Sequence, residues 1–450
     1  MKAACEGRFL FALPLLARFI VSLKLMPVRP TPADVRTPAS SQQEVARIAG
    51  MRAVHAAFLY LHNQEMEFRR WQRELAEIPA PPFGEAARSE WLRQRFSSLE
   101  LDEAQCDELG NVFGLLHRDD AQSLVGVSAH LDTVFPLGTR LETREEGTRL
   151  HGPGISDNAA GVVALLAVAS ALKRSQLRLG GNVVFIGNVG EEGEGNLRGM
   201  RHIFASPRWG DAIRSLLVID GAGTDTYVTQ ALGSRRFAVT FRGPGGHSWS
   251  DFGVPNPIVL LARALARFSQ VAVPESPRTT FNIGVVHGGT SVNSIPETAA
   301  ARVDLRSASM EELQKLEERL RECVHEAWSE VPLAWRSGES RTLPVMGSEA
   351  KVRFAIESIG DRPAAELPAD ARILEVLRAV DAHLRIKSIA RLASTDANVP
   401  LAMGKEATTI GTGGDGGSAH TLREWFDCAN RDLGLKRILL TLLALTGVTE

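Results

Sequence analysis

Cysteine is scarce: only Cys5, Cys106, Cys323 and Cys428 occur in 450 residues, far apart and never in CxxC spacing. That excludes a disulfide framework and a zinc ribbon, and it fits free thiols in a reducing compartment, the cytoplasm. An excess of one charge is also missing. Lys and Arg total 51 against 53 Asp and Glu, a net charge of -2, so no global basic field argues for nucleic acid or an anionic membrane. No aromatic platform or basic stripe accompanies the 6% aromatic content, which removes the usual means of gripping nucleic acid. Long apolar runs are lacking too. The run "FLFALPLLA" at 9–17 is far below the ~20 residues that span a bilayer, so no stable membrane insertion is expected. It follows Lys2 and Arg8 and resembles a weak signal-peptide core, which leaves export open. Yet Arg18 and Lys24 interrupt its continuation, and no small-x-small cleavage site follows closely.

What is present is a chain too long for one ordinary core, so about two domains are expected. Residues 1–43 read as a leader and linker, with the Pro-, Ser- and Thr-rich stretch "PVRPTPADVRTPASSQQ" at 27–43. Residues 44–78 carry a long helical pattern, and a second helix is expected from Glu85 to Ser97. Apolar strands at 111–116, 123–132, 182–190 and 215–220 then alternate with an apolar helix at 158–175. This order predicts an α/β domain with a mixed, mainly parallel sheet covered by helices on both faces. From Gly233 the pattern changes to β-α-β-β-α-β, ending in "AKVRFAIESIG". That order predicts a small α+β unit with a four-stranded antiparallel sheet and two helices on one face. The α/β pattern then returns. The expectation is a catalytic domain in two pieces, 44–232 and 363–450, interrupted by an inserted domain at 233–362.

Polar clusters stand at the ends of the apolar strands, where α/β folds place their sites. In "SAHLDTV", His130 and Asp132 are two apart on a strand and so share a face. A carboxylate beside an imidazole orients it as a metal ligand, although a buried His satisfied by its neighbour gives the same pattern. In "GPGISDNAAG", Asp157 precedes a helix and reads as an N-cap or a ligand. "GNVGEEGEG" sets Glu191 beside Glu192 at the end of a strand, and Asp220 ends "LLVID". His420 follows a loop of five glycines, which permits close backbone approach to a ligand; a solvated loop histidine is the alternative. Together these residues can converge on one sheet edge. Zn²⁺, Mn²⁺ and Co²⁺ all accept such a mixed imidazole and carboxylate set. Asp157, Glu192 and Asp220 supply three negative charges against the four of two divalent ions, which leaves Glu191 free to act as a base.

At these residues the chain resembles the family 20 metallopeptidases, closest in look to peptidase T-like members. The group also includes dipeptidases, glutamate carboxypeptidase, aminoacylase and acetylornithine deacetylase. The motifs "SAHLDTV", "GPGISDNAAG", "GNVGEEGEG", "VIDG" and "GGSAH" carry the resemblance in order across roughly residues 60 to 450. It implies two divalent ions, with Zn²⁺ the default. His130 and Asp220 would hold one ion and Glu192 and His420 the other, with Asp157 between them. Glu191 would be the general base and then acid, Asp132 would orient His130, and the Asp157–Asn158 peptide would be cis. The insert would be the family's lid and dimerisation domain, making a homodimer in which His247 reaches the partner's active site to polarise the scissile carbonyl. Asn293 and Arg306 would hold a substrate carboxylate, while Ser394 and Asp396 in "STDANVP" would line the substrate pocket. Aspartate at position 220 is commoner in the aminopeptidase and dipeptidase branches. The implied substrate is therefore a short peptide with a free N-terminus. An N-acyl amino acid or carboxypeptidase substrate is the alternative, and a catalytically inactive metal-binding homologue a remoter one.

Overall fold

The computed structural model describes residues 39–117, 124–175, 177–337 and 351–449; the apolar run at 9–17 lies outside them. Its centre is a nine-stranded mixed sheet. From one edge the strands are Asp102–Cys106, Val112–Leu116, Asn182–Asn188, Leu124–His130, Ile213–Ile219, Glu406–Ile410, Thr226–Ala231 and Ala365–Glu366, and Ile389–Ala393 also pairs with Thr226–Ala231. The four central strands, Asn182–Asn188 to Glu406–Ile410, are mutually parallel. Their flanks are antiparallel, as in Val112–Leu116 against Asn182–Asn188 and Glu406–Ile410 against Thr226–Ala231. The sheet is thus mixed with a parallel centre, and all four C-terminal strand ends open on one edge. Every residue of Leu124–His130 is buried, as a strand covered on both faces requires.

Helix Ala159–Ser175 is buried over most of its circumference. It packs on the sheet and beneath helices Arg52–Asn63, Glu65–Ala76 and Arg431–Thr446, which explains why it is apolar all round rather than amphipathic. The helical pattern read across 44–78 is three helices, Ala39–Ala49, Arg52–Asn63 and Glu65–Ala76. The chain turns at Gly50, and Met51 is extended. The first helix begins inside the stretch expected as a linker. Its docking on helix Arg372–Leu384 accounts for this: Arg372 Nη1 donates to Ser41 Oγ at 2.7 Å and Nη2 to Glu44 at 2.5 Å.

The described residues of 233–362 hold a separate antiparallel sheet in the order Thr279–Gly288, Thr298–Ser307, Gly233–Arg242, Arg353–Arg362. Helices Pro257–Phe268 and Met310–Ser329 cover one face and enclose a second core around Phe237, Val239, Phe241, Leu260 and Leu320. The main elements follow the β-α-β-β-α-β order of the sequence pattern, with the short strands Gly246–His247 and Ser294–Ile295 and the short helix Leu333–Ser337 added. Asn256 and Ser309 cap the two helices through their side chains, as short polar residues before an apolar run should.

One buried ion pair ties the C-terminal helix to the fold. Arg437 donates to both oxygens of Asp381 at 2.6 and 2.7 Å and is fully buried. Removing one partner strands a charge in the interior. Asp381→Ala is therefore expected to cost about 3–5 kcal/mol of stability, read as a lowered urea midpoint. A loss below 1 kcal/mol would show that the pair is dispensable.

Candidate metal centre

The parallel strand ends deliver the expected residues to one place. His130 ends its strand, Glu191 and Glu192 follow Asn182–Asn188, and Asp220 follows Ile213–Ile219. The loop after Glu406–Ile410 carries His420. Its approach needs glycine, because a Cβ on Gly434 would lie 2.2 Å from Gly413 N. His130 Nε2 lies 3.2 Å from Asp157 and 3.7 Å from Asp220. His420 Nε2 lies 3.0 Å from the other oxygen of Asp157 and 3.0 Å from Glu192. Asp157 therefore belongs to two triads, His130–Asp157–Asp220 and Asp157–Glu192–His420. Within each triad the donor atoms lie within 4.8 Å of one another, and a third group joins His130, Glu191 and Glu192 at the same spacing. The peptide bond from Asp157 to Asn158 is cis. Asn158 is fully buried: Nδ2 donates to Ile219 O at 2.9 Å and Oδ1 accepts from Gly161 N at 3.1 Å.

Asp132 explains how two glutamates can stand side by side. Its carboxylate accepts the Glu191 N–H at 2.9 Å and the Glu192 N–H at 2.7 Å. The Nδ1 of His130 is nearer the Asp132 main-chain oxygen, at 3.1 Å, than the carboxylate, at 3.6 Å. Asp132 thus holds the histidine and both glutamates at once.

The electrostatics call for a cation. Burial pushes the carboxyls of Glu191 and Glu192 up. Burial opposes ionisation of Asp157 as well, but the imidazoles of His130 and His420 outweigh it and hold Asp157 below the usual range. Burial would lower His130, yet Asp132, Asp157 and Asp220 raise it well above its ordinary value. Asp157 and Glu192 push His420 up to about 11. Protons are drawn to the two imidazoles because four carboxylates, those of Asp132, Asp157, Glu192 and Asp220, converge on them. Divalent ions satisfy the same field, and the imidazole and carboxylate donors suit Zn²⁺, Mn²⁺ or Co²⁺.

The other expected residues fall into two sets. Asp396 is buried against the centre and accepts from Asn188 Nδ2 at 2.7 Å, and burial pushes it up to about 7. Ser394 touches Arg362 at 3.2 Å. By contrast, His247, Asn293 and Arg306 have their contacts elsewhere. His247 is exposed, and its Nδ1 accepts from Trp249 N at 3.2 Å. Its short strand pairs with Ser294–Ile295, next to Asn293, whose Oδ1 accepts from Ser291 Oγ at 2.6 Å. Arg306 donates to Asp304 at 2.7 Å.

Two residues escaped the sequence reading. Arg362 ends the last strand of the inserted sheet and is 6% exposed. Its Nη1 donates to Glu191 Oε1 at 2.7 Å, and its Nη2 to the Glu191 carbonyl. Glu424 is buried and accepts the N–H groups of Gly154 at 3.1 Å and of Ser156 and Asp157 at 2.8 Å; burial pushes its carboxyl up to about 7. Neither lies in one of the five motifs quoted from the sequence. The only signals were an arginine at the end of the last strand of the insert and an acid four residues after His420.

Comparison with known proteins agrees with this geometry. The profile of peptidase family M20/M25/M40 matches residues 126–444. The chain belongs to that family. A probable carboxypeptidase of Uncinocarpus reesii is 28% identical over 222 residues, 44% of this chain and 48% of that protein. Carboxypeptidase G2 of a Pseudomonas species is 26% identical over 217 residues, 46% of this chain and 51% of that one. These matches span about half the length of those relatives. The fold is also that of a Staphylococcus aureus tripeptidase crystal structure, with TM-score 0.67 and 21% identity over 85% of this chain and 99% of the other. As in this M20 fold, the chain pairs a mixed sheet with a separate antiparallel one.

Because protons and metal compete for the same imidazoles, loading should release protons and strengthen as pH rises. Zn²⁺ titrations at pH 7 in buffers of different ionisation enthalpy should show at least one proton released per ion. A buffer-independent heat would contradict the assignment. Glu424→Ala frees three amides behind Asp157 and should weaken metal affinity about 10- to 100-fold, as read by competition with a chelating dye.

Proposed function

We propose that this protein is a two-metal hydrolase that cleaves the amide bond of short peptides and releases residues from a free N-terminus. The observation that carries the reading is the sharing of Asp157 between two imidazole–carboxylate triads, with Glu191 directly beside them. His130, Asp157 and Asp220 would hold one ion, and Asp157, Glu192 and His420 the other. Such ions, when bound, acidify water and polarise a carbonyl. Glu191 takes a proton from the attacking water and later gives it to the leaving amine. Its raised affinity for protons, caused first by burial, suits both duties. Arg362 opposes that rise, holds one Glu191 oxygen and leaves the other to face the reaction. Asp132 fixes the Glu191 backbone.

The aspartate at position 220 and the likeness to a tripeptidase fold support the aminopeptidase direction. A second reading, release from the carboxyl end, draws support from relatives named carboxypeptidases. It would need a cation for the terminal carboxylate, for which Arg306 and Asn293 are the candidates. Because His247 is exposed and has its contacts within its own loop, we place it opposite the active site of a second copy. The exposed Val285 and Val286 on the edge strand Thr279–Gly288 supply an apolar edge for that dimer.

The test is product mass from a tripeptide of three different residues and from its N-acetylated twin, with Zn²⁺, Mn²⁺ or Co²⁺ loaded. Release of the first residue, from the free peptide only, is expected. Release of the last residue would select the carboxypeptidase reading, and release of acetate a deacylase. Glu191→Gln should lower kcat about a thousandfold with metal content unchanged. Undiminished turnover would overturn the role of Glu191.

A further inference from the structure

Beside the metal centre, between the Gly193–Glu194 turn and the open face of the inserted sheet, lies a cavity of about 480 Å³. That is within the range of small-ligand pockets. The turn follows Glu192 directly in the chain, so one wall of the cavity begins at the residue after a candidate ligand. Arg236 bridges the two sides: its Nη1 donates to Gly193 O at 3.0 Å and its Nε to Asp304 at 3.2 Å. Arg302 reaches Glu194 only at 3.4 Å, and both are exposed, so that pair is weak and free to open. The remaining wall is apolar, built from Ile359, Gly284 and Phe83.

Phe83 is the unusual member. Its φ is +71°, a left-handed conformation that a bulky residue adopts at a cost. The residue is nevertheless 68% exposed, so little burial offsets that cost. The surroundings hold it in place. The Pro81 carbonyl accepts from Gly84 N at 2.8 Å, and Ala80 O from Thr133 N at 2.8 Å. The Arg198 guanidinium lies 5.0 Å from the ring and is anchored on Glu85 at 2.8 Å. A strained, braced and exposed aromatic at the rim of a cavity is a contact surface awaiting a partner.

We propose that this cavity is the subsite for a bulky apolar side chain of the substrate, aromatic in preference, with Phe83 as its platform and Arg302 as a movable polar rim. It rests on the reading of the neighbouring centre as a peptide hydrolase. Stacking a second ring on Phe83 adds about tenfold in affinity over a methyl group.

The test uses the metal-loaded full chain with Phe-Gly-Gly, Ala-Gly-Gly, Gly-Gly-Phe and Gly-Gly-Ala. The wild type should favour phenylalanine at one end by about tenfold in kcat/KM. Phe83→Ala should bring that ratio close to one, and Phe83→Leu should retain part of it. The same ratio in wild type and Phe83→Ala overturns the proposal. Binding of N-acetyl-phenylalaninamide, followed by ligand NMR, gives a readout that needs no turnover. If no peptide is cleaved but this binding is lost in Phe83→Ala, the subsite stands and the hydrolase reading falls. Equal binding by both proteins overturns the subsite whatever the turnover.

Discussion

The Asp132 carboxylate is the interaction on which the site depends. It lies two residues past the end of one parallel strand and accepts the two N–H groups that open the loop after the next. Both its oxygens are thereby used, and the pair of glutamates is held in one backbone conformation despite their mutual repulsion. His130, gripped by the Asp132 main chain, is set by the same residue. Asp132 itself is fully buried. Burial would push it up, but His130 and the two amides outweigh that and keep it ionised. A charge that cannot leave the interior, surrounded by fixed donors, is a rigid reference point for everything attached to it.

From that point the negative charge accumulates outward. Asp157, Asp220, Glu192 and Glu191 crowd around two imidazoles, and the nearest direct guanidinium partner is Arg362 on Glu191. Behind them, Glu424 spends its charge on three amides of the Gly154–Asp157 loop. Buried Arg88 spends its own on main-chain oxygens, including that of Leu131 at 3.0 Å. Glu424 and Arg88 thus have their charges met by main-chain groups, while the inner layer is left short of positive charge. That division is what a binding centre for cations requires.

Arg362 adds a connection between the two sheets. It ends the inserted sheet yet bonds to Glu191 and Ser394 in the α/β part, and Arg236 does the same to Gly193. Orientation of the inserted unit is thus coupled to the position of Glu191. The cavity lined by Phe83 lies along the same seam.

Much of this was legible in the chain itself. Strand periodicity located Val112–Leu116, Leu124–His130, Asn182–Asn188 and Ile213–Ile219 to within about two residues, but not the central strand Glu406–Ile410. The β-α-β-β-α-β order of the insert followed from alternation in "RRFAVTFRG" and the amphipathic run after Ser309, because side-chain period and capping are local properties. The meeting of His130, Glu191, Glu192 and Asp220 was legible because parallel strands end together, which brings polar residues after apolar runs to one edge. Short pieces such as Thr226–Ala231 and Asp102–Cys106 were missed, since their stability comes from neighbours rather than pattern. The linker assignment of residues 39–43 failed for the same reason: Arg372, more than 300 positions away, holds that turn of helix. Arg362, Glu424 and Phe83 belong to this class too. Sequence alone determined which strands end in imidazole and carboxylate side chains. Only the tertiary structure decided which distant charges brace them and which ring stands open at the rim, because those contacts join residues with no spacing in common.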